Sequence, residues 1–484
     1  MTTATLPVER KTIVCRLHYR KLTAGADLSV LSEVVSKLPD AAILGGNPSK
    51  AQADGFSYWM ARPVEVFEFR TGQKSPLEKL QAVIAKYRLA DNSSGNLPEG
   101  IFAGGWVGCF SYDLGRYIEP AAFAAGNPAK DDSSLPLIRL CFYDRIIAYD
   151  HCKKAFWLIA LELEDDTETT QQKLSSLAGL LDRAGTVRAP VPPPSDIENI
   201  DFAQIQSNMT KDYYLKVFDK IKRHIYDGDV YQINFSKRFD TEYSARPIDL
   251  FHWQNRYNPS PYSAYIDAGS FQIVSASPEM FITIIDRVIS TKPIKGTRKR
   301  FEKASSSEDR LNAENLQQLL TSEKEKAELN MIIDLERNDV ARISKPGTRK
   351  VTQPRTIETC PTVFHAVATV AGELRDDVGF CAVLKAMFPG GSVTGAPKIS
   401  AMQIIDEIEP TARGVYTGSI GFLGLDGSAC LNIAIRTIII KNNKAYVQTG
   451  GGIVADSDPM AEYEETIVKA QALLAGIKCV SRRA

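Results

Sequence analysis

The chain has 484 residues, 44% of them apolar and 24% charged, as in an ordinary soluble globular protein of two or more domains or one unusually large one. Lys and Arg total 58, as do Asp and Glu, so no net field draws the chain to nucleic acid or an anionic membrane. No apolar run approaches the roughly 20 residues that span a bilayer. Scattered cysteines without a Cys-x-x-Cys pair argue against a zinc site or a disulfide framework. We therefore expect a cytoplasmic protein with reduced thiols.

Three short runs rich in β-branched or aromatic residues predict β-strands in the first part of the chain: 11–17, 64–69 and 137–143. A helix is predicted over 167–184, where leucines recur on one face. The segment 189–195 contains four prolines, which exclude a helix and favour an extended chain. This composition break predicts three regions: an N-terminal region at 1–188, a proline-rich linker at 189–201 and a second unit at 202–482.

The second unit is predicted to mix helices with strands. Helices are expected where apolar residues keep helical spacing or precede a stop signal, at 213–225, 305–339 and 399–408. Strands are expected at 230–239, 271–275 and 280–285. The runs 415–424 and 430–440 flank a turn and therefore predict a hairpin.

One lysine, Lys295, lies in a sequence that can hold an amine at a defined place. It follows Pro293 and precedes Gly296 at the end of a β-rich run. Because proline fixes φ and glycine relaxes it, the run is predicted to end in a shaped loop. Taken alone, the same pattern is also that of a solvated lysine in a turn.

Two pairs of glutamates are spaced three residues apart, Glu325 with Glu328 and Glu462 with Glu465. Each pair therefore shares one face of its predicted helix. Carboxylates from two helices can hold a hard cation such as Mg²⁺, with water and a substrate oxygen completing its six ligands. A solvated glutamate pair near lysines is the alternative explanation, since the spacing alone does not decide.

Glycine-rich segments and one arginine indicate an anionic ligand. Residues 388–398 place glycines just before a helix, where backbone N–H groups can face an anion, whereas the Ala-Pro at 396–397 breaks the P-loop pattern and disfavours nucleotide binding. The glycines at 450–452 allow backbone amides to approach a ligand. Arg436 is predicted within the strand 430–440, where it either clamps a carboxylate or lies at a sheet edge with its head in solvent.

Taken in order, the motifs of the second unit resemble those of the chorismate-utilising enzymes. This family includes the large subunits of anthranilate synthase and aminodeoxychorismate synthase, together with isochorismate and salicylate synthases. The motifs that carry the resemblance are Gly-Asp-Val-Tyr-Gln-Ile-Asn at 228–234, Ser-Pro-Glu at 277–279, Lys-Pro-Ile-Lys-Gly-Thr at 292–297, Asp-Leu-Glu-Arg-Asn-Asp at 334–339, the stretch 389–398 and Gly-Gly-Gly-Ile-Val at 450–454. In the first unit, Gly-Gly-Trp-Val-Gly at 104–108 is a looser likeness.

The resemblance implies an α/β (α+β) fold, a large sandwich of two antiparallel β-sheets flanked by helices, with chorismate in a cleft between them. In such a fold the two halves of the chain can intertwine. It implies Mg²⁺ as the cofactor, with Glu328 and Glu465 as ligands and Glu325 and Glu462 in support. It implies Glu279 as the general acid and base beside the departing 4-hydroxyl group. Around the substrate it implies His365, Thr394, Arg436, Gly450, Gly451, Gly452 and Lys469.

Lys295 distinguishes between members of this family. Anthranilate synthases usually have Pro-Ile-Ala-Gly-Thr at its place, whereas aminodeoxychorismate synthases have Pro-Ile-Lys-Gly-Thr, as here. The resemblance therefore implies that Lys295 adds to C2 of chorismate while Glu279 protonates the leaving hydroxyl, after which ammonia attacks C4 and gives 4-amino-4-deoxychorismate. Burial or a cation such as Arg298 is expected to lower the pKa of the lysine. The alternatives are anthranilate synthesis and a non-catalytic paralogue that only binds a partner.

Four further observations refine these expectations. Gln232 lies where isochorismate-forming relatives have a lysine that activates water, and its amide cannot act as a base. No cysteine lies in a Gly-x-Cys-x-Gly frame, so ammonia is expected from solution or from a glutaminase partner subunit. Leu329 and Glu336 depart from the usual family residues without removing an expected ligand. The Leu-Glu-Ser signature of tryptophan-inhibited relatives is not evident.

Overall fold

A computed structural model of the chain describes residues 12–482 except 24, 47–54, 91–96, 124–128, 196–199, 201, 203–204, 302–304 and 361–362. Part of the predicted linker, at 196–199 and 201, thus lies outside the described residues. None of the helices in this described part combines the length and the hydropathy that crossing a bilayer requires.

The described part of the chain forms 23 strands. In chain order they are β1 (Ile13–Leu22), β2 (Ala42–Leu44), β3 (Phe56–Met60), β4 (Glu65–Phe69), β5 (Tyr87–Leu89), β6 (Gly105–Phe110), β7 (Ile138–Tyr143), β8 (Arg145–Asp150), β9 (Ala155–Glu162), β10 (Gln206–Ser207), β11 (Gln232–Glu242), β12 (Tyr262–Asp267), β13 (Gln272–Ser277), β14 (Met280–Ile285), β15 (Val288–Lys292), β16 (Ile294–Lys299), β17 (Lys350–Thr359), β18 (Val363–Glu373), β19 (Gly395–Ala396), β20 (Ser419–Gly424), β21 (Ala429–Asn432), β22 (Thr437–Lys441) and β23 (Lys444–Ile453).

The same part of the chain forms 11 α-helices. They are α1 (Leu28–Val35), α2 (Pro76–Ile84), α3 (Gly115–Ile118), α4 (Thr170–Thr186), α5 (Lys211–Tyr226), α6 (Pro247–Tyr257), α7 (Ser306–Thr321), α8 (Glu323–Ala341), α9 (Phe380–Met387), α10 (Lys398–Ile408) and α11 (Pro459–Ser481). The helices predicted over 167–184, 213–225 and 399–408 are confirmed as α4, α5 and α10. Helix α4 begins at a capping box in which Thr169 and Gln172 satisfy each other's backbone amides.

The strands form two sheets. The larger has 13 strands in the order β10-β11-β23-β22-β13-β12-β2-β3-β8-β9-β1-β5, with β19 beside β11. The smaller has 10 strands in the order β16-β18-β15-β14-β21-β20-β6-β7-β4, with β17 also paired to β18. Strand β1 pairs with β5 in parallel, and the other described pairs are antiparallel. The predicted α/β sandwich of two antiparallel-rich sheets with flanking helices is confirmed.

Both sheets contain strands from both sides of the proline-rich segment. Strand β2 pairs with β12 in the larger sheet, and β6 pairs with β20 in the smaller one. The predicted regions 1–188 and 202–482 therefore do not form separate sheets. The chain is intertwined, so residues far apart in sequence meet where the sheets adjoin.

Strand β9 shows how one sequence serves two cores. Phe156 and Leu158 belong to the core that α1 and α4 form on the larger sheet, whereas Trp157 and Ile159 belong to the core that both sheets share. Alternate residues of a strand point to opposite faces. Since both faces of β9 are covered, its sequence is almost continuously apolar.

Three predictions about the second unit are wrong. The loop expected at Lys295 is a further strand, β16, which is separated from β15 only by Pro293. The charged helix expected over 305–339 is two helices, because Ser322 leaves helical geometry and its hydroxyl accepts the Glu325 amide as the N-cap of α8. The strand expected over 430–440 is two strands, β21 and β22, which belong to different sheets. Arg436 lies between them with a φ of +49° and is not a strand residue.

Candidate active site

Two neighbouring segments cross between the sheets at the same place. The chain passes from β13 to β14 through Glu279, and from β21 to β22 through 433–436. The two crossings are hydrogen-bonded together. The Ile433 amide donates to the Glu279 carbonyl oxygen at 3.0 Å, and the Ala276 amide donates to the Arg436 carbonyl oxygen at 3.0 Å. The two crossings are thus held side by side at the junction of the sheets, with Glu279 beside Ile433 and Arg436 beside Ala276.

Lys295 and Glu279 meet at Ser392. Lys295 lies near the start of β16, and its Nζ donates to the Ser392 carbonyl oxygen at 3.3 Å. The Ser392 hydroxyl donates to Glu279 Oε1 at 2.7 Å, and the Ile294 amide approaches the same oxygen at 3.5 Å. The amine and the carboxyl group therefore contact one serine, which lies in the 3₁₀ turn Gly391–Val393.

Burial shifts both groups toward their neutral forms. Glu279 is 4% exposed, and burial raises the pKa of its carboxyl group, against the opposing effects of Ser392 and Lys295. Burial also lowers the pKa of Lys295, against the opposing charges of Glu328 and Glu279. A neutral amine is a nucleophile and a protonated carboxyl group is an acid. The pair therefore suits a nucleophilic addition coupled to proton transfer.

The cation that acts on Lys295 is Lys469 of α11, which adds to the lowering of its pKa by burial. Arg298, which was expected in this role, instead donates to Glu325 Oε1 at 2.6 Å. The expected lowering of the lysine pKa is confirmed through burial, whereas Arg298 has a carboxylate partner because α8 packs against β16. Lys469 also pairs with Glu465 Oε1 at 2.6 Å.

The glycines of β23 leave room around the lysine. A Cβ atom at Gly452 would lie 2.7 Å from Gln232 Nε2 and 3.5 Å from Lys295 Nζ, and one at Gly451 would lie 2.9 Å from Glu462 Oε2. A side chain at either glycine would thus intrude on these groups. Gln232 is fully buried, and neither polar atom of its amide has a hydrogen-bond partner in the described part of the chain. Its amide is therefore available to a ligand.

Glu325 and Glu328 lie on the side of α8 that faces β16. Glu325 Oε1 accepts from Arg298 of that strand, while Glu325 Oε2 is buried without a hydrogen-bond partner among the described residues. Burial has the largest effect on the pKa of Lys295 and lowers it. The charge of Glu328 has the next largest effect and raises this pKa. Both carboxylates thus lie near Lys295, and the buried Oε2 of Glu325 remains available to a ligand.

Glu462 and Glu465 lie in the first turns of α11, beside the glycines of β23. Burial raises the pKa of Glu462, opposed by the Ser457 hydroxyl and supported by the Glu465 charge. Burial acts on Glu465 as well, but the ammonium groups of Lys469, Lys295 and Lys324 together outweigh it and lower the pKa. Lys324 of α8 acts on both glutamates, so the first turns of α8 and α11 lie within electrostatic range of each other.

The donors around the lysine fit a hard divalent cation. Two helices supply four carboxylates, one of which keeps an unpartnered buried oxygen, and oxygen ligands are those that Mg²⁺ prefers. Within the residues that the structure describes, no three His, Cys, Asp or Glu side chains converge closely enough to hold a metal ion by themselves. A Mg²⁺ ion here would depend on one or two carboxylates together with water and substrate oxygens, as Mg²⁺ commonly does.

His365 and Arg436 form another part of the site. His365 of β18 faces β16, with its Nδ1 2.9 Å from Thr297 Oγ1. Burial and the charge of Arg436 lower the pKa of His365 to about 3, so the imidazole is neutral at pH 7. Burial lowers the pKa of Arg436, and among the described residues no carboxylate offsets that effect. Arg436 is half-buried. A guanidinium that is partly removed from water without an anion is costly, so an anionic ligand is its natural partner.

Sequence reasoning missed two residues that shape this site. Ser392 lies inside the glycine-rich motif, which was the available signal. Arg413 donates to the Val393 carbonyl oxygen at 3.0 Å and so holds the same turn, although nothing in its local sequence marks it. The predicted substrate residue Thr394 is fully buried, and its hydroxyl donates to the Gly390 carbonyl oxygen at 2.7 Å. In this structure Thr394 stabilises the turn.

Comparison with known proteins gives the family of the chain. Residues 47–475 match the family model for chorismate binding enzymes. The chain belongs to this family. It is 38% identical over 372 residues to aminodeoxychorismate synthase component 1 of Bacillus subtilis (strain 168), covering 77% of this chain and 76% of that protein. It is 39% identical over 381 residues to anthranilate synthase component 1 of Pseudomonas aeruginosa, covering 78% and 75%.

A solved structure extends the likeness to the fold. The crystal structure of anthranilate synthase component I from Streptococcus pneumoniae matches with a TM-score of 0.69 and 31% identity, covering 88% of this chain and 93% of that one. The predicted resemblance to chorismate-utilising enzymes is confirmed. Because relatives with two different names match this chorismate-binding enzyme about equally well, family membership does not choose the reaction.

Proposed function

We propose that this chorismate-binding enzyme aminates chorismate at C4 with ammonia, giving 4-amino-4-deoxychorismate and water, in para-aminobenzoate and folate biosynthesis. The observation that carries the proposal is the placement of Lys295 and Glu279 on one serine, since the reaction needs an amine and an acid within reach of one substrate. The lysine stands where the family resemblance leads us to expect alanine in an anthranilate synthase.

The residues of the site would act in two stages. The neutral amine of Lys295 adds to C2 of chorismate, both ring double bonds shift by one position and the C4–O bond breaks. Glu279 gives its proton to the departing hydroxyl group, which leaves as water. Ammonia then forms the C4–N bond, the C2–N bond to the lysine breaks, and the surplus proton of the new ammonium group returns to Glu279. Lys295 and Glu279 end as they began.

Charged groups around the lysine would bind the two carboxylates of chorismate. Mg²⁺ would be held by Glu328 and Glu465, supported by Glu325 and Glu462, and would neutralise the ring carboxylate. Arg436 offers a second anion site because no carboxylate of the described residues offsets its burial. Other side chains and backbone groups proposed to surround the substrate are His365, Thr394, Gly450, Gly451, Gly452 and Lys469.

Ammonia is proposed to come from glutamine through a glutaminase partner subunit. The proposal rests on the cysteines of this chain, none of which lies in a Gly-x-Cys-x-Gly frame. The purified chain should therefore use ammonium and fail with glutamine alone. Equal rates with the two nitrogen sources would contradict this part of the proposal.

Anthranilate formation, with amination at C2 and loss of pyruvate, is the second candidate. It is kept because the Pseudomonas aeruginosa anthranilate synthase component 1 is as similar to this chain as the aminodeoxychorismate synthase component 1. Incubation with chorismate, Mg²⁺ and ammonium separates the two, since the products differ in mass and anthranilate is fluorescent. Anthranilate as the main product would overturn the proposed function.

A further inference from the structure

A group of titratable side chains lies behind the turn Gly391–Val393 and takes no part in the proposed reaction. Glu336 and Asp339 of α8 are 3% and 7% exposed, and their spacing of three residues puts both carboxyl groups on one face. Lys398, at the start of α10, donates to Asp339 Oδ2 at 2.5 Å and to the Met387 carbonyl oxygen at 2.8 Å. Lys398 therefore pairs with Asp339 and forms no ion pair with Glu336.

Glu336 is the carboxyl group of this cluster without an ion-pair partner in the described part of the chain. Its Oε2 is buried and accepts no hydrogen bond from the described residues. Burial and the charge of Asp339 raise the pKa of Glu336 to about 8, against the opposing charge of Lys398, so the group holds a proton at pH 7. An apolar side chain of similar size would remove the cost of burying it. Packing alone therefore does not account for a carboxyl group at this position.

The polar neighbour of Glu336 is the turn that carries the reacting pair. The Gly391 backbone amide acts on the Glu336 carboxyl group and lowers its pKa, opposing the effect of burial. A Cβ atom at Gly391 would lie 3.3 Å from Glu336 Oε1, so helix and turn are in close contact. The next residue, Ser392, donates to Glu279 Oε1 and accepts from Lys295 Nζ. A shift of Gly391 would therefore move the contacts of both reacting groups.

We propose that Glu336 is a positioning residue for the reaction. By accepting the Gly391 amide it fixes the turn, and the turn sets Ser392 between Lys295 and Glu279. The proposal rests on the proposed function, because it assumes that these two residues carry the chemistry.

Arg413 completes the support of the turn. It donates to the Val393 carbonyl oxygen at 3.0 Å and so holds one end of the turn, while Glu336 lies against the Gly391 end. Arg413 is itself paired with Glu409 Oε1 at 2.8 Å, and both side chains are buried. That end is anchored by a buried ion pair. Thr394 holds the other end through the Gly390 and Gly391 carbonyl oxygens, which leaves the Gly391 amide facing Glu336.

The test is a matched pair of variants, Glu336→Gln and Glu336→Met. Gln keeps an acceptor for the Gly391 amide, whereas Met has similar length and no acceptor. We expect Glu336→Met to lower kcat about 10- to 100-fold with little change in KM for chorismate, since a small displacement of reacting groups costs that much. Glu336→Gln should recover most of the loss. The Met variant should melt no lower than the wild type, because it removes a buried, unpaired carboxyl group.

Three results would overturn the positioning role. They are wild-type kcat in Glu336→Met, an equal loss in Glu336→Gln, and a fall of melting temperature in parallel with kcat, which indicates damage to the fold. Glu336→Leu serves as a second apolar variant should the Met variant not fold.

Combining Glu336→Met with Ser392→Ala adds a further measurement. The double variant should lose less than the product of the single losses if Glu336 acts through Ser392, and fully multiplicative losses would contradict it.

The same assays keep this proposal apart from the proposed function. Product mass and the activity of Lys295→Ala test the function, whereas the ratio of kcat between the Gln and Met variants tests the positioning role. If the product were anthranilate while the Gln and Met variants still differed, the proposed function would be overturned and the positioning role supported.

Discussion

Lys295→Ala is expected to stop amination at C4 while leaving the fold and chorismate binding nearly unchanged. The structural cost is small, because Nζ makes one long hydrogen bond, 3.3 Å to the Ser392 carbonyl oxygen, a contact worth about 1 kcal/mol. The catalytic cost is large, because without the nucleophile only binding and electrostatic contributions are left. We expect kcat to fall about 1,000-fold or more, equivalent to about 4 kcal/mol.

The assay is steady-state formation of 4-amino-4-deoxychorismate from chorismate, Mg²⁺ and ammonium. Calorimetric titration with chorismate and thermal unfolding serve as controls. Lys295→Met is the matched variant, since it keeps most of the side chain and removes the amine, and it should lose activity as far as Lys295→Ala does. Intact-protein mass should show an adduct of chorismate less one water on the wild type alone. Full turnover by either variant would refute the covalent route.

Three further predictions concern other groups of the site. Arg436→Met should raise KM for chorismate about 30-fold or more, the loss of about 2–5 kcal/mol expected for a buried charge contact, and an unchanged KM would remove the anion site. The rate should depend on pH as a bell, because Lys295 acts without its proton and Glu279 with it. Burial lowers the pKa of Lys295 below 10.5 and raises the pKa of Glu279 above 4.5. The pH separation between the two limbs of the bell should therefore be smaller than the difference between these two values. Glu279→Gln should remove one limb. Chelation of Mg²⁺ should abolish turnover, and Glu465→Gln should raise the Mg²⁺ concentration at half-maximal rate, whereas an unchanged requirement would contradict its role as a ligand.

Helices and strands in which apolar residues recur at a regular spacing were predictable from the sequence. Of the two breaks within predicted elements, only one has a signal in the sequence. The break at Ser322 has a local signal, because Ser322 and Glu325 have the spacing of a capping box. The crossing at 433–436 has none. Its Ile-Ala-Ile-Arg sequence stays mostly apolar because the chain is largely buried while it passes between the sheets. Apolarity alone therefore cannot separate it from the strands on either side.

The candidate active site was likewise predictable from the sequence only in part. The spacing of Glu325 and Glu328 predicts a shared helix face, and the structure puts both near β16. The partner of Arg298 depends on how α8 packs against β16, which no local pattern encodes. Arg413 likewise acts on the turn of the site only through the tertiary fold.

The proposed function depends on amination of chorismate at C4. The most direct measurement is the identity of the product that the purified chain forms from chorismate with Mg²⁺ and ammonium, read by mass spectrometry and fluorescence. We predict a product with the mass of 4-amino-4-deoxychorismate, its enolpyruvyl group retained, and no fluorescence of anthranilate. Anthranilate with released pyruvate, or no turnover of chorismate at all, would contradict the account.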